Sequence, residues 1–412
     1  MLIAANIQIS SKNIFKMNMS FWIVLAYLYV AIIVETVNGI AIHKNIGAIS
    51  TLISGGKLIV VIYAISFILS ISTKKAAKLI VSLAVLFLLV FVHQVFGLDE
   101  DLRTINVIFK IFNNLFYAFF AYWVLKSVDN GYRLIKQIVT VNYSVLVFNI
   151  LIGAMGIGFS NYKAADDTAI GGTGYLPAGN EVGVALLLGY LAMLFFYRRD
   201  ILKLSLILTL SLLAGFIVLS KSTIIGIMLI SLVYLFQVSK LFTIALFTTG
   251  FFTILVNLNH LIGYFQLAIN RWTYLIRSYG WEPFLLGGNK RVEYISLYLA
   301  DLSAHPIILL SGVGWKGETE NNFFDLIQAF GISGLLIFLA WVMILLMKPV
   351  NNLRYLPSDK SDRAIYRTSI FCGLLVLLIL ILAGHTVQSS LVAPFLAGYI
   401  VAVEYFKFKT EH

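Results

Sequence analysis

FWIVLAYLYVAIIVETVNGIAI, residues 21–42, carries a single charged side chain, Glu35. A helix needs about 20 apolar residues to cross the hydrocarbon core of a bilayer, so this run is long enough to span. Eleven further segments read the same way: 49–71, 77–96, 105–125, 134–157, 182–197, 202–219, 223–238, 241–258, 331–347, 368–383 and 391–406. The 412-residue chain is 60% hydrophobic and only 12% charged. That much apolar surface cannot be buried in one water-soluble core, because a compact domain still presents a large and mostly polar surface. The same composition excludes disorder, and a lone cysteine, Cys372, excludes a disulfide scaffold. Strands of about ten residues with alternating polarity are missing, so an outer-membrane barrel is not expected. The expected fold is an all-α integral membrane protein: one polytopic domain, 1–412, with about twelve transmembrane helices.

Assigning alternate connections to opposite sides of the membrane sorts the charges. One side collects 19 of the 30 basic residues; the other holds 11 basic residues against 13 of the 19 acids. By the positive-inside rule both termini face the cytoplasm. The net charge of +11 then needs no nucleic acid to explain it. The first apolar run lacks a short hydrophobic region and a small-residue cleavage site, so it is expected to stay as a signal anchor.

Two outward connections stand out. Residues 259–322, between the ninth and tenth segments, form an excursion long for any loop. It holds Arg271, Arg277, Lys290, Arg291 and Lys316, balanced by Glu282, Glu293, Asp301, Glu318 and Glu320 and interleaved with Trp272, Tyr274, Trp281, Tyr298 and Trp315. Guanidinium forks grip phosphate oxygens and rings stack on sugars, although Trp and Tyr also collect at any membrane interface. Within the excursion, NKRVEYISLYLADLSA (289–304) spaces Val292, Ile295, Leu299 and Leu302 as one face of an amphipathic helix. Arg291 falls in its first turn, where helix donors favour an anion. Gly312 and Gly314 of SGVGW read more simply as a tight turn than as a phosphate cradle. The second connection, 159–181, contains NYKAADDTAIGGTGYLPAGNE. Asp166 and Asp167 lack further ligands at metal spacing, so no metal is expected. Asn180 and Glu181 suit sugar hydroxyls or a helix cap.

Three charges lie in or beside apolar segments. Lys110 is close enough to the interface to snorkel; Lys221 sits at an outward turn where two helices could frame a lipid phosphate; Glu35 has no partner legible in the sequence. His93, His260 and His385 show no metal spacing.

The chain resembles the O-antigen polymerase and ligase superfamily of bacterial polysaccharide assembly. Four stretches carry the likeness: GYLPAGNE (174–181), LSKSTIIG (219–226), NKRVEYISLYLADLSAHPIILLSGVGW (289–315) and ENNFFDLIQAFGISGLLIFLAW (320–341). Where ligases typically carry His-Asn before the tenth helix, this chain has Glu320 and Asn321, which favours polymerase over ligase. The resemblance implies a C-type glycosyltransferase of the bacterial inner membrane with its active site on the periplasmic face, independent of metal and of any cofactor. It would transfer a glycan carried on undecaprenyl pyrophosphate to the next lipid-linked repeat unit, with membrane lipid and possible chain-length regulator protein as partners and no nucleic acid. On this reading Arg291 and Lys221 hold the pyrophosphate as it leaves, Glu320 is the base, and Arg271, Arg277, Lys290, Asn180, Asn321 and Trp315 bind substrate. The alternatives are an O-antigen ligase acting on lipid A core and a polysaccharide flippase. A transporter would commonly show related halves and midplane polar groups; neither is evident in the sequence.

Overall fold

The computed structural model describes residues 19–71, 103–128, 130–163, 169–176, 179–240, 289–304, 308–314, 321–351, 356–382, 385–386 and 389–411, with isolated positions in 81–91 and 266–281. The expected span 241–258, most of 77–96, and Asp166, Asp167, His93 and His260 lie outside the described residues. The rest is almost entirely helical. The elements in order are α1 (Met19–His43), α2 (Gly47–Ile71), α3 (Arg103–Ser127), α4 (Gly131–Ala154), β1 (Phe159–Lys163), β2 (Ala169–Gly174), α5 (Gly179–Tyr197), α6 (Ile201–Val218), α7 (Lys221–Val238), α8 (Asn289–Ala304), α9 (Ile308–Ser311), α10 (Asn322–Asn351), α11 (Lys360–Leu382) and α12 (Ala393–Glu411). Among the described residues eight helices are long and apolar enough to cross a membrane: α1 to α7 without exception, and the first part of α10.

The arrangement follows from which helices are apolar all round. In α5 every residue from Val182 to Phe196 is buried, and α12 is buried from Ala393 through Glu404. A helix hydrophobic on all faces belongs inside a bundle. The surrounding helices turn apolar side chains outward instead: Leu52 is 76% exposed and Leu202 81%. In water such a surface would aggregate; in lipid it is solvated.

Where apolar faces meet, the hydrophobic effect gives no direction, and polar side chains set the register. The Asn142 amide of α4 accepts the Ile32 N–H at 2.9 Å and donates to the Leu28 carbonyl at 2.8 Å. Those are the two groups that an unbroken α1 ladder would join to each other. The Tyr190 and Ser231 hydroxyls, 2.6 Å apart, tie α5 to α7 in the same way.

The bundle's two ends differ in charge. At one end stand Lys126, Arg133, Lys136, Arg198, Arg199, Lys203, Lys360, Arg363 and Arg367. There Asp362, at the start of α11, meets Arg198 Nε at 2.6 Å and Arg199 Nη2 at 2.8 Å, and the Arg198 guanidinium lies over the rings of Phe195, Tyr405 and Phe406. Burial alone would raise the Asp362 carboxyl, but the hydrogen bond and charge of Arg198, seconded by Arg199, outweigh it and hold the group below its ordinary value. A carboxyl depressed by folding stabilises the native state above its unfolded pKa of about 3.9, and that contribution is lost as pH falls through the lower folded value. Asp362→Ala, which strands a nearly buried Arg198, is expected to cost about 3–5 kcal/mol of stability at neutral pH. Thermal unfolding in detergent should show that gap closing as the pH drops below about 4.

At the other end the connection read as a loop, 159–181, forms a β-hairpin in which Ser160 pairs with Gly172 and Tyr162 with Ile170. Its glycines let the hairpin lie directly on α4: a Cβ on Gly172 would come within 2.3 Å of the Gly153 carbonyl oxygen. α10 begins nine residues before the expected start at Gly331, which sits inside it at φ 63° and breaks the helix. The turn 312–314 docks on that break, with Val313 N–H donating to the Gln328 carbonyl at 2.7 Å. A Cβ on Gly312, also at positive φ, would meet the Ala329 carbonyl carbon at 2.6 Å. The glycine run is therefore a packed turn.

Candidate functional site

The end of the bundle away from the basic surplus gathers the polar side chains that the helices carry into the apolar layer. Glu35 of α1 is buried and pairs with Lys57 of α2 at 2.6 Å. Ser390, in the turn before α12, donates to Glu35 Oε1, and Lys57 Nζ donates to Ser390 Oγ at 3.4 Å. The adjacent Ser389 donates to Glu181 Oε2 in the first turn of α5, while its own carbonyl accepts from Asn114 Nδ2 of α3 at 3.0 Å. Lys110, one turn nearer the start of α3, completes the group: the charges of Glu35, Lys57, Lys110 and Glu181 all act on one another. Two acids and two lysines from four helices thus converge on the turn Ser389-Ser390. Charges at membrane depth are costly and are kept where they pair or work.

The group forms a cleft rather than a closed core. Lys110 is exposed and Glu181, Lys57 and Ser390 are half-buried, yet protein surrounds Lys110 and Glu181 on most sides. With about 1.5 Å rise per residue, Glu181 is ~3 Å from the start of its helix, Lys110 ~10 Å, Glu35 ~12 Å from the end of α1, and Lys57 ~15 Å into α2. Beneath them the floor is apolar. Tyr27 and Tyr117 stack at 5.6 Å, and further down Phe21 and Phe67 both pack edge to face on Trp123, and Phe67 on Phe120. A small apolar crevice lined by Ile108, Phe112, Leu326, Phe330 and Phe338 lies between α3 and α10.

Lys221 is the first residue of α7, and its neighbours Ser220 and Thr223 pack so closely on α5 that a Cβ on Gly183 would fall 2.3 Å from Thr223 Oγ1. The helix starts bearing Lys221 and Glu181 are therefore side by side. Asn180, half-buried, shares that first turn of α5. Asn321 accepts the Phe323 N–H at 3.0 Å, a cap on α10. Asn322 donates to Thr386 at 2.9 Å, which links the start of α10 to the segment leading to Ser389 and Ser390. Residues 289–304 form the expected helix, α8, with Lys290 and Arg291 in its first turn. Its face differs from the expectation: Tyr298 is buried, with its hydroxyl pushed up to about 12 by that burial, while Leu299 is 52% exposed. Arg277, Tyr274 and Trp281 are exposed. Arg271, Trp315 and Glu320 lie outside the described residues. Lys57 and the two serines were not singled out in the sequence, and Glu35, without a legible partner there, has one here.

Of the four stretches that carry the resemblance, the helix that GYLPAGNE leads into thus packs at Gly183 against the start of the LSKSTIIG helix, and SGVG against the helix that follows ENN, with Ser389 bonded to Glu181 and Thr386 to Asn322. No family model matches the chain, and neither a curated protein nor a solved structure is significantly similar to it, so the family likeness rests on those motifs alone.

Proposed function

We propose that the chain is a membrane-embedded glycosyltransferase that polymerises a surface polysaccharide such as O-antigen, transferring a glycan from polyprenyl pyrophosphate to the next lipid-linked repeat unit at the face opposite the basic surplus. The reading keeps the sequence expectation of about twelve helices, a large outward excursion at 259–322 and an inner-membrane location. The observation that carries it is the convergence described above: segments far apart in sequence meet at one end of the bundle around a polar cleft. That cleft is open at the rim and floored by aromatic rings, a shape suited to chemistry at a membrane surface. Arg291 and Lys221, helped by Arg277 and Arg271, hold the pyrophosphate, and each helix start adds backbone donors. The acceptor hydroxyl, a poor nucleophile, gives its proton to a carboxylate.

Lys57, near the middle of α2, favours a second reading, a flippase, because charged groups deep in a bundle mark substrate paths in transporters. Reconstitution of the purified protein with a defined lipid-linked repeat, followed by mass analysis, separates the readings. Products in whole-number multiples of the repeat are the expected result. Transfer to lipid A core means a ligase, and no covalent change means transport. Labelling that finds the segment around Arg291 on the cytoplasmic side overturns the proposal.

A further inference from the structure

We propose that Glu181 is the catalytic base of the transfer, receiving the proton of the acceptor sugar hydroxyl in the cleft, and that Ser389 and the Glu35–Lys57 pair are positioning groups. This assignment rests on the glycan-transfer reading. Among the described residues two carboxylates, Glu35 and Glu181, line the cleft, and their surroundings separate them. Glu35 is buried, and both the Lys57 ammonium and the Ser390 hydroxyl sit on its Oε1, so its charge is already matched by a protein cation inside the bundle. Glu181 is half-buried at the rim, and among the described residues it makes no ion pair: its bonded partner is the Ser389 hydroxyl, which occupies Oε2. One donor on one oxygen fixes the carboxylate plane and leaves Oε1 for a substrate hydroxyl, the arrangement a general base requires.

The groups facing Glu181 are Lys110 of α3, Lys57 of α2, Glu35 of α1 and Ser389 of the turn before α12. The first two supply counter-charge for a carboxylate that protein surrounds on most sides. Ser220 and Thr223 pack on Gly183, which sets the start of α7, the helix that Lys221 opens, beside the start of α5. A pyrophosphate held at Lys221 then places the departing phosphate and the incoming hydroxyl on neighbouring helix starts. In the step itself the acceptor oxygen bonds to the anomeric carbon as that carbon's bond to the phosphate oxygen breaks. The electron pair leaves on the pyrophosphate, the hydroxyl proton passes to Glu181, and water later removes it.

The test uses the full-length protein in liposomes with a lipid-linked repeat unit as donor and acceptor, alongside binding of undecaprenyl pyrophosphate. Glu181→Gln keeps an oxygen to accept from Ser389 and is expected to elongate about 10²–10⁴-fold more slowly, with undecaprenyl pyrophosphate binding within about threefold of the native protein. The acid limb of the native pH–rate profile should vanish from the residual activity, which a merely structural role would leave in place. Glu181→Asp guards against misfolding of the Gln variant: it retains a carboxylate, so elongation should fall at least about tenfold with the acid limb kept. Elongation at the native rate in either variant overturns the assignment while leaving the transfer reading intact. A native protein that binds the lipid-linked repeat without extending it overturns the transfer reading and this assignment with it.

Discussion

Arg291→Ala is expected to accumulate in the membrane at the native level and to make no polymer. A charge contact that strengthens as the leaving group departs is worth about 2.7–4 kcal/mol, or 10²–10³-fold in rate. The arginine sits in the first turn of α8, where the backbone donors of the helix start add to its charge. Lysine is a weak substitute, since a point charge cannot form the two parallel bonds a guanidinium makes to phosphate oxygens. Arg291→Lys should therefore recover only part of the lost rate. Gel ladders of the polysaccharide give the readout, and an unchanged ladder in the alanine variant removes Arg291 from the site.

Lys57→Met should produce the second large effect, on stability. The ammonium lies 2.6 Å from a buried carboxylate, and taking it away leaves Glu35 charged and uncompensated among apolar helices. Breaking one side of such a pair costs about 3–5 kcal/mol. Replacing both, as Glu35→Gln with Lys57→Met, removes the stranded charge while Ser390 keeps an oxygen to donate to, so the double variant is expected to regain most of the loss. Thermal unfolding of the three proteins in detergent measures the coupling. If the single variant unfolds at the native temperature, the pair contributes nothing to holding α1 and α2 together.

The eight spans among the described residues were legible because lipid leaves a strong one-dimensional trace: α1 differs from the segment read in the sequence by two residues at its start and one at its end. The helix at 289–304 was legible through its periodicity. The cleft was not. Glu35 and Lys57 lie on different helices, and hydropathy counts each as a blemish in an apolar run without saying which faces will meet. Ser389 and Ser390 carry no charge and look like ordinary turn residues until the fold sets them beside two acids. The hairpin at 159–174 escaped notice because its second strand, AIGGTG, has the composition of a loop; its glycines are there for closeness to α4. The break at Gly331 was hidden for a similar reason, since one glycine in a helical pattern is usually tolerated, and only the docked turn at 312–314 gives this one its positive φ a purpose.

That docked turn has a bearing on how the protein can be re-engineered. Because Val313 bonds to the Gln328 carbonyl and Ser333 to that of Leu310, the segment 308–314 is built into α10 as a wedge is built into a joint. A chimera that grafts a foreign excursion onto this scaffold should cut ahead of Ile308. A junction at Asn322 would leave two helix halves without the backbone partners that cover their break.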